Sequence, residues 1–186
     1  MLHKWVIDKE FSWEGGHRVW SQKLEHPSLS ISTETCCKHL HGHSYTIKVF
    51  LGSDSLDQSS MVTDFKNLNF MKEFIDSTLD HKFMIDMHDP NFTLITGVSG
   101  SADLALFGHV PFVPNFTNLG QLVPSHDVNV QLHRDSFVLV DFVPTSENIC
   151  KYLKLYAQER IGNVATVTAL ELWETKKSHC RYSGDL

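Results

Sequence analysis

The stretch "CCKHLHGHSY", residues 36 to 45, places two cysteines, three histidines and a glycine within ten positions. Such a cluster suits a metal centre, a redox pair, or a nucleophile beside a base. Alternate residues of a strand point to one side, so His41 and His43 project together if "HSYTIKVFLG" is extended. Gly42 between them then allows close backbone approach. Two imidazoles make half a zinc site, although an isolated His-x-His more often serves packing or the surface. The third ligand is His17, which follows "FSWEGG" and lies beside the second strand if the two pair antiparallel. Three neutral nitrogens with an open fourth position describe a catalytic zinc rather than a structural one. Cys37 is open to three readings: a fourth ligand that closes the site, a buried thiol, or a base or nucleophile whose pKa a nearby dication lowers.

Two further polar clusters carry chemistry. In "LDH", residues 79 to 81, Asp80 can fix the tautomer of His81 and stabilise its protonated form, as a general acid or base requires. Adjacent residues do not face each other on a helix, so the pair works only if the chain turns there; the plainer reading is an imidazole at a helix C-terminus. Near the C-terminus, Val164, Thr166, Thr168, Leu170 and Leu172 alternate onto one face and Glu174 continues it. Glu174 either ends the strand in solvent or accepts paired N–H donors from a heterocycle. Thr145, Ser146 and Glu147 open a helix and offer backbone N–H and hydroxyl groups to the same ring, or simply cap the helix.

The elements that must position these groups alternate in period. "WVIDKEFSW" and "HSYTIKVFLG" read as strands. "DFKNLNFMKEFIDSTL" switches to a helical period, with Phe65, Leu68, Met71, Phe74, Ile75 and Leu79 on one face and Asp64 as cap, which predicts a helix over about 65–79. "SFVLVDFV" reads as a strand, "PTSENICKYLKLYAQERI" as a helix with Ile149, Tyr152, Leu153 and Tyr156 on its inner face, and "VATVTALELWE" as a closing strand. The order predicts an α+β layer: a four-stranded antiparallel sheet with two helices on one face. Residues 88–136 hold four of the six prolines and four of the ten glycines and read as an insertion into a single domain spanning 1–186, with some strand of its own or an ordered flap.

Composition narrows the classes. With 41% apolar residues in 186, the chain can bury a core, and a formal charge of −6 argues against a general nucleic-acid or anionic-membrane binder. No apolar run approaches a signal peptide or a membrane span, which places the chain in the cytosol. Cysteines stand at 36, 37, 150 and 180 without a Cys-x-x-Cys, and vicinal cysteines rarely bridge, so they read as reduced.

Taken in order, "FSWEGGH", "CKHLHGHSY", "MVTDF", "LDH", "PTSEN" and "ELWET" resemble the 6-pyruvoyl tetrahydropterin synthase / 6-carboxytetrahydropterin synthase family, of the tunnelling fold, over residues 11 to 175. The resemblance implies Zn2+ on His17, His41 and His43, Cys37 as proton-abstracting thiolate, Asp80 and His81 as a dyad, and Glu174 as pterin anchor and part of the catalytic relay. It further implies that Thr145, Ser146 and Glu147 hold the pterin ring of 7,8-dihydroneopterin triphosphate. An oligomeric barrel, a homo-hexamer built as a dimer of trimers with sites at subunit contacts, is also implied. The three residues between Cys37 and His41 are similar to the branch that makes 6-carboxytetrahydropterin for queuosine. The pyruvoyl branch, with the same zinc and substrate, is the alternative enzyme, and a non-catalytic pterin- or zinc-binding module the alternative class. The chain departs from the family at Gly15 and Gly16, where a pair of alanines is usual, at the extra Cys36, and in the length of the insertion. Arg18, Lys38, Lys176, Lys177 and Arg181 are the cation candidates for the triphosphate.

Overall fold

The computed structural model describes residues 3–23, 36–99 and 116–184. Strand β1 (Trp5–His17) pairs antiparallel with β2 (His41–Ser53) over their full length, from Trp5 opposite Ser53 to His17 opposite His41. This register agrees with the alternation, because it puts Phe11, Trp13, Tyr45, Ile47, Val49 and Leu51 on one buried face. β6 (Thr166–Thr175) continues the sheet antiparallel to β2, and β7 (Ser178–Tyr182) closes that side.

Among the described residues the sheet has seven strands, in the order β4 (Thr117–Asn118), β5 (Phe137–Val140), β3 (Lys82–Asp86), β1, β2, β6, β7, not the four expected, and it is mixed rather than antiparallel. The cause lies at the end of the first helical segment. That segment runs as a 3₁₀ turn (Phe65–Leu68), the helix α1 (Asn69–Phe74) and a π turn (Ile75–Leu79), with Asp64 capping its start through Lys66 N–H at 2.7 Å. Asp80 is then extended and His81 left-handed, with φ 57°. His81 N–H donates to Glu14 O at 2.7 Å, so the chain is captured at the outer edge of β1 and proceeds alongside it. The resulting β3 (Lys82–Asp86) pairs parallel with β1 at Gly15 and Gly16, and parallel with β5 (Phe137–Val140).

Gly16 fits this contact for a steric reason: a Cβ there would meet the Phe83 ring at 2.5 Å. Within residues 88–136, the described part forms α2 (Phe92–Thr96), β4 (Thr117–Asn118), α3 (Leu119–Leu122) and α4 (Val128–Asp135). The strand expected in that stretch is the short β4, which extends the sheet beyond β5. Residues 100–115, inside the predicted insertion, lie outside the described residues.

The two expected helices do share one face. Leu68, Met71, Ile75 and Leu79, together with Ile149, Leu153 and Ala157 of α5 (Ser146–Ile161), join the β1, β2 and β6 side chains in one core. Phe65 is the exception on the predicted helical face, being largely exposed. On the other face of β3 and β5, Ile85 and Leu139 pack with Phe92 of α2 and Leu119 of α3 in a second cluster. Burial on both faces explains why "KFMID" lacks the alternation by which strands are read. Among the described residues, no helix is long and apolar enough to cross a membrane.

Candidate metal centre and pterin site

The antiparallel register sets His17 opposite His41 and Gly15 opposite His43, so three imidazoles converge at one end of the β1–β2 ladder. Ring centroids are 4.5 Å apart for His17 and His41, 5.1 Å for His17 and His43, and 5.0 Å for His41 and His43. One ligand atom from each lies within 4.8 Å of the others. Gly42 permits this closeness, since a Cβ there would stand 2.9 Å from Gly15 O in the paired strand.

Each ring nitrogen not facing the cluster has a defined task where it is bonded. His17 Nδ1–H donates to Pro144 O at 2.6 Å and His41 Nδ1–H donates to His39 O at 2.8 Å, which leaves Nε2 of both as the lone-pair atom. Burial lowers the pKa of His17 from 6.5 to about 4, against the opposing pull of the Pro144 carbonyl and Glu174. His43 is lowered too, again chiefly by desolvation. Both are therefore neutral near pH 7, the form that binds a metal. His17 Nε2 is buried and lacks a hydrogen-bond partner among the described residues, and the Glu174 carboxylate oxygen Oε1 is 3.8 Å away. An orphaned buried nitrogen grouped with the imidazoles of His41 and His43 fits a small dication such as zinc.

Glu174 reaches the cluster from β6 because of a bulge. Leu51 pairs with Val167 and Phe50 with Ala169, so Thr168 is the extra residue and the strand changes face there. Val167, Leu170 and Leu172 point into the core and Glu174 continues their row, whereas Val164 is exposed; the predicted row thus holds from Leu170 onward but not at Val164. A cleft of about 640 Å³ touches His43 and Glu174 and has Trp173, Lys48 and Lys176 in its walls.

Thr145 is the N-cap of α5: its Oγ1 accepts the Asn148 N–H at 3.3 Å, a bond whose loss costs about 1 kcal/mol. Because Pro144 O is the acceptor for His17, the start of α5, with Ser146 and Glu147 in its first turn, is tied directly to the imidazole cluster.

The Asp80–His81 pair forms as the turn requires, with His81 Nδ1 2.9 Å from Asp80 Oδ2. Asp80 Oδ1 also accepts the Glu14 N–H at 3.1 Å, and this backbone bond is the main cause that holds the carboxyl below its usual range, with His81 adding to it. His81 itself is mostly exposed at the β1 edge, outside the imidazole cluster. Cys37 sits half-buried in a 3₁₀ turn (Cys36–Lys38) and is not one of the grouped ligand atoms. Two cation candidates are already engaged, Arg18 with Asp89 at 2.9 Å and Arg181 with Glu171 at 2.6 Å.

Tyr45 escaped the sequence reading. It stacks on Trp13 at 4.8 Å, stands edge-on to His17 and His43, and buries a hydroxyl that has no partner among the described residues. Its position two residues beyond His43, on the same strand face, is the signal that could have found it.

Fold and site together define an α+β domain whose paired strands present a candidate three-histidine metal centre beside a carboxylate. The family model described as 6-pyruvoyl tetrahydropterin synthase matches residues 6–185, and the chain belongs to that family. It is 31% identical to the 6-carboxy-5,6,7,8-tetrahydropterin synthase of Aquifex aeolicus, over 98% of this chain and 99% of that protein. The protein of the same name from Haemophilus influenzae is 24% identical over 95% of this chain and 96% of its own length. The crystal structure of the uncharacterized protein WS1659 from Wolinella succinogenes superposes with a TM-score of 0.80 and 35% identity, covering 97% of this chain and 98% of that one. The Caenorhabditis elegans 6-pyruvoyl tetrahydropterin synthase, with a TM-score of 0.54 at 20% identity and full coverage of both chains, shares the fold.

Proposed function

We propose that the protein is a zinc-dependent 6-carboxy-5,6,7,8-tetrahydropterin synthase that converts 7,8-dihydroneopterin triphosphate and water to 6-carboxytetrahydropterin, acetaldehyde and triphosphate, in the cytosol and in service of queuosine synthesis. The observation that carries the reading is the trio of converging imidazoles beside Glu174, in a chain whose near-full-length curated relatives bear that enzyme's name. The three-residue spacing from Cys37 to His41 favours the carboxy product over the pyruvoyl one.

His17, His41 and His43 would hold the zinc, which when bound supplies Lewis-acid stabilisation of charge on the substrate side chain. Glu174 accepts paired N–H donors of the pterin ring, and the Thr145–Glu147 segment flanks that ring. Cys37 as thiolate removes a carbon-bound proton, and His81, oriented by the ionised Asp80, transfers a proton on the other side. The residues that would hold the metal are already pre-organised, since the His17 and His41 tautomers are fixed by carbonyls.

His81 is mostly exposed and is not grouped with the three imidazoles, which supports a site shared between subunits of a hexameric barrel. Along β1, β3 pairs only at Gly15 and Gly16, so the rest of that edge has no strand neighbour among the described residues. Trp5 and Val6 on the same strand are about half exposed, and an unpaired apolar edge of this kind favours assembly.

The test is product analysis by mass spectrometry with zinc-loaded protein and 7,8-dihydroneopterin triphosphate, alongside an acetaldehyde assay. Acetaldehyde with a 6-carboxypterin supports the reading. A 6-pyruvoyl product without acetaldehyde refutes it in favour of the sister activity, and no turnover favours a binding module.

A further inference from the structure

The backbone of Cys37 is gripped from both sides by the segment that follows His17. Val19 N–H donates to Cys37 O at 2.6 Å, and Cys37 N–H donates to Gln22 Oε1 at 3.2 Å. Gln22 N–H in turn donates to Val19 O at 3.1 Å, so residues 19 to 22 form a closed turn against the cysteine. A 3₁₀ turn of three residues has little rigidity of its own, so the place of the thiol depends on what fixes this partner segment.

Two buried carboxylates fix it. Trp20 Nε1–H donates to Asp86 Oδ2 at 2.8 Å, and Arg18 Nε lies 2.9 Å from Asp89 Oδ2. Asp86 and Asp89 are 3% and 4% exposed, so neither is a solvated surface charge. Each is itself held by backbone: Asp86 Oδ1 accepts the His88 N–H at 2.9 Å, and Asp89 Oδ1 accepts the Asn91 N–H at 2.8 Å. Asp86 ends β3, whose pairing with β5 anchors the carboxylates to the sheet.

We infer that Asp86 and Asp89 are positioning residues for Cys37, acting through Trp20 and Arg18 and the Val19 and Gln22 hydrogen bonds. The β3–α2 turn thereby sets the place of a thiol that lies about 50 residues earlier in the chain. The inference rests on Cys37 being the base of the proposed reaction for its effect on turnover, but the placement of the thiol can be tested without turnover.

The experiment compares wild type with Asp89→Asn and Trp20→Phe. The alkylation rate of Cys37 by iodoacetamide at one fixed pH is read by peptide mass analysis, with the buried Cys150 as an internal reporter of unfolding. Both variants are expected to alkylate Cys37 about tenfold faster with Cys150 still protected. They should lose about 10- to 100-fold in kcat with KM within about twofold, as misplacement of a catalytic group predicts. Unchanged Cys37 alkylation in the folded variants overturns the inference, whatever happens to kcat. If Asp89→Asn exposes Cys150, Trp20→Phe, which removes the indole N–H and part of the ring but no charge, decides alone. Faster alkylation with unchanged kcat upholds the positioning and instead sinks Cys37 as the base.

Discussion

Lowering the pH should unfold the metal-free protein through His17, and the size of the effect follows from its burial. In the unfolded chain the imidazole takes a proton near pH 6.5, whereas in the folded state burial lowers the value to about 4. Between these limits the unfolded state binds the extra proton, so stability falls as pH drops through this window; above pH 7 both states are neutral and His17 contributes no pH dependence. At about 1.36 kcal/mol per tenfold change in proton affinity, the full loss is roughly 3 kcal/mol, reached below pH 4. That is a sizeable share of a typical domain's stability. The assay is urea unfolding of chelator-treated protein at fixed concentration, at steps from pH 7.5 to 4.5, for wild type and His17→Gln. Other groups titrate in both proteins, so the difference of the two curves isolates His17. The difference should be flat above pH 7 and should shrink by about 2 kcal/mol or more on approach to pH 4.5. Parallel curves would refute the claim that His17 is held neutral by burial. Bound metal, which requires the neutral ring, should steepen the acid loss further.

Three other outcomes follow from the same geometry. Cys37→Ala should reduce turnover at least about 100-fold while metal content, measured by elemental analysis, stays unchanged; loss of metal would make Cys37 a ligand instead. Gly42→Ala should cost about 1–3 kcal/mol in urea unfolding and weaken metal retention, because a Cβ 2.9 Å from Gly15 O forces apart the strands that carry His17 and His41; wild-type stability would show that the strands give way freely. Tyr45→Phe should raise the melting temperature of the ligand-free protein by the equivalent of about 1 kcal/mol, since it removes a buried hydroxyl that has no partner among the described residues. A lower melting temperature would mean that the hydroxyl is satisfied in solution.

What could be read in the sequence depended on whether local pattern or long-range pairing decided the outcome. That His17 would lie beside the second strand was legible because antiparallel alternation assigns both apolar faces, with residues 11, 13, 45, 47, 49 and 51 on one side; the pairing with His41 was not, because a shift of two residues keeps the same faces. The helices were legible for the same local reason, with Asp64 and Thr145 capping where the pattern begins. The β3 strand was not. It is short, buried on both faces, and its parallel partners stand far off in sequence, so neither period nor turn chemistry announces it. The faces of β6 were read correctly at Leu170, Leu172 and Glu174, but Val164 was wrong because the bulge at Thr168 resets the alternation.

The least legible feature, β3, is also the one on which the proposed chemistry most depends. The left-handed turn at His81 that launches β3 places the Asp80–His81 pair on the β1 edge. The far end of β3 presents Asp86, which with Asp89 just beyond holds Trp20 and Arg18 beside Cys37. One five-residue strand thus joins the supports of both proposed proton-transfer groups, while the imidazole cluster depends on β1, β2 and the carbonyl before α5. Damage to β3 should accordingly impair proton transfer before metal binding, and damage at Gly42 should do the reverse. A β3 substitution such as Met84→Ala, which leaves a cavity in the main core, separates the two by comparing metal content with turnover in one sample. Equal loss of both would mean that the sheet transmits the change to the imidazoles as a rigid body, and the division of labour between the strands would not hold.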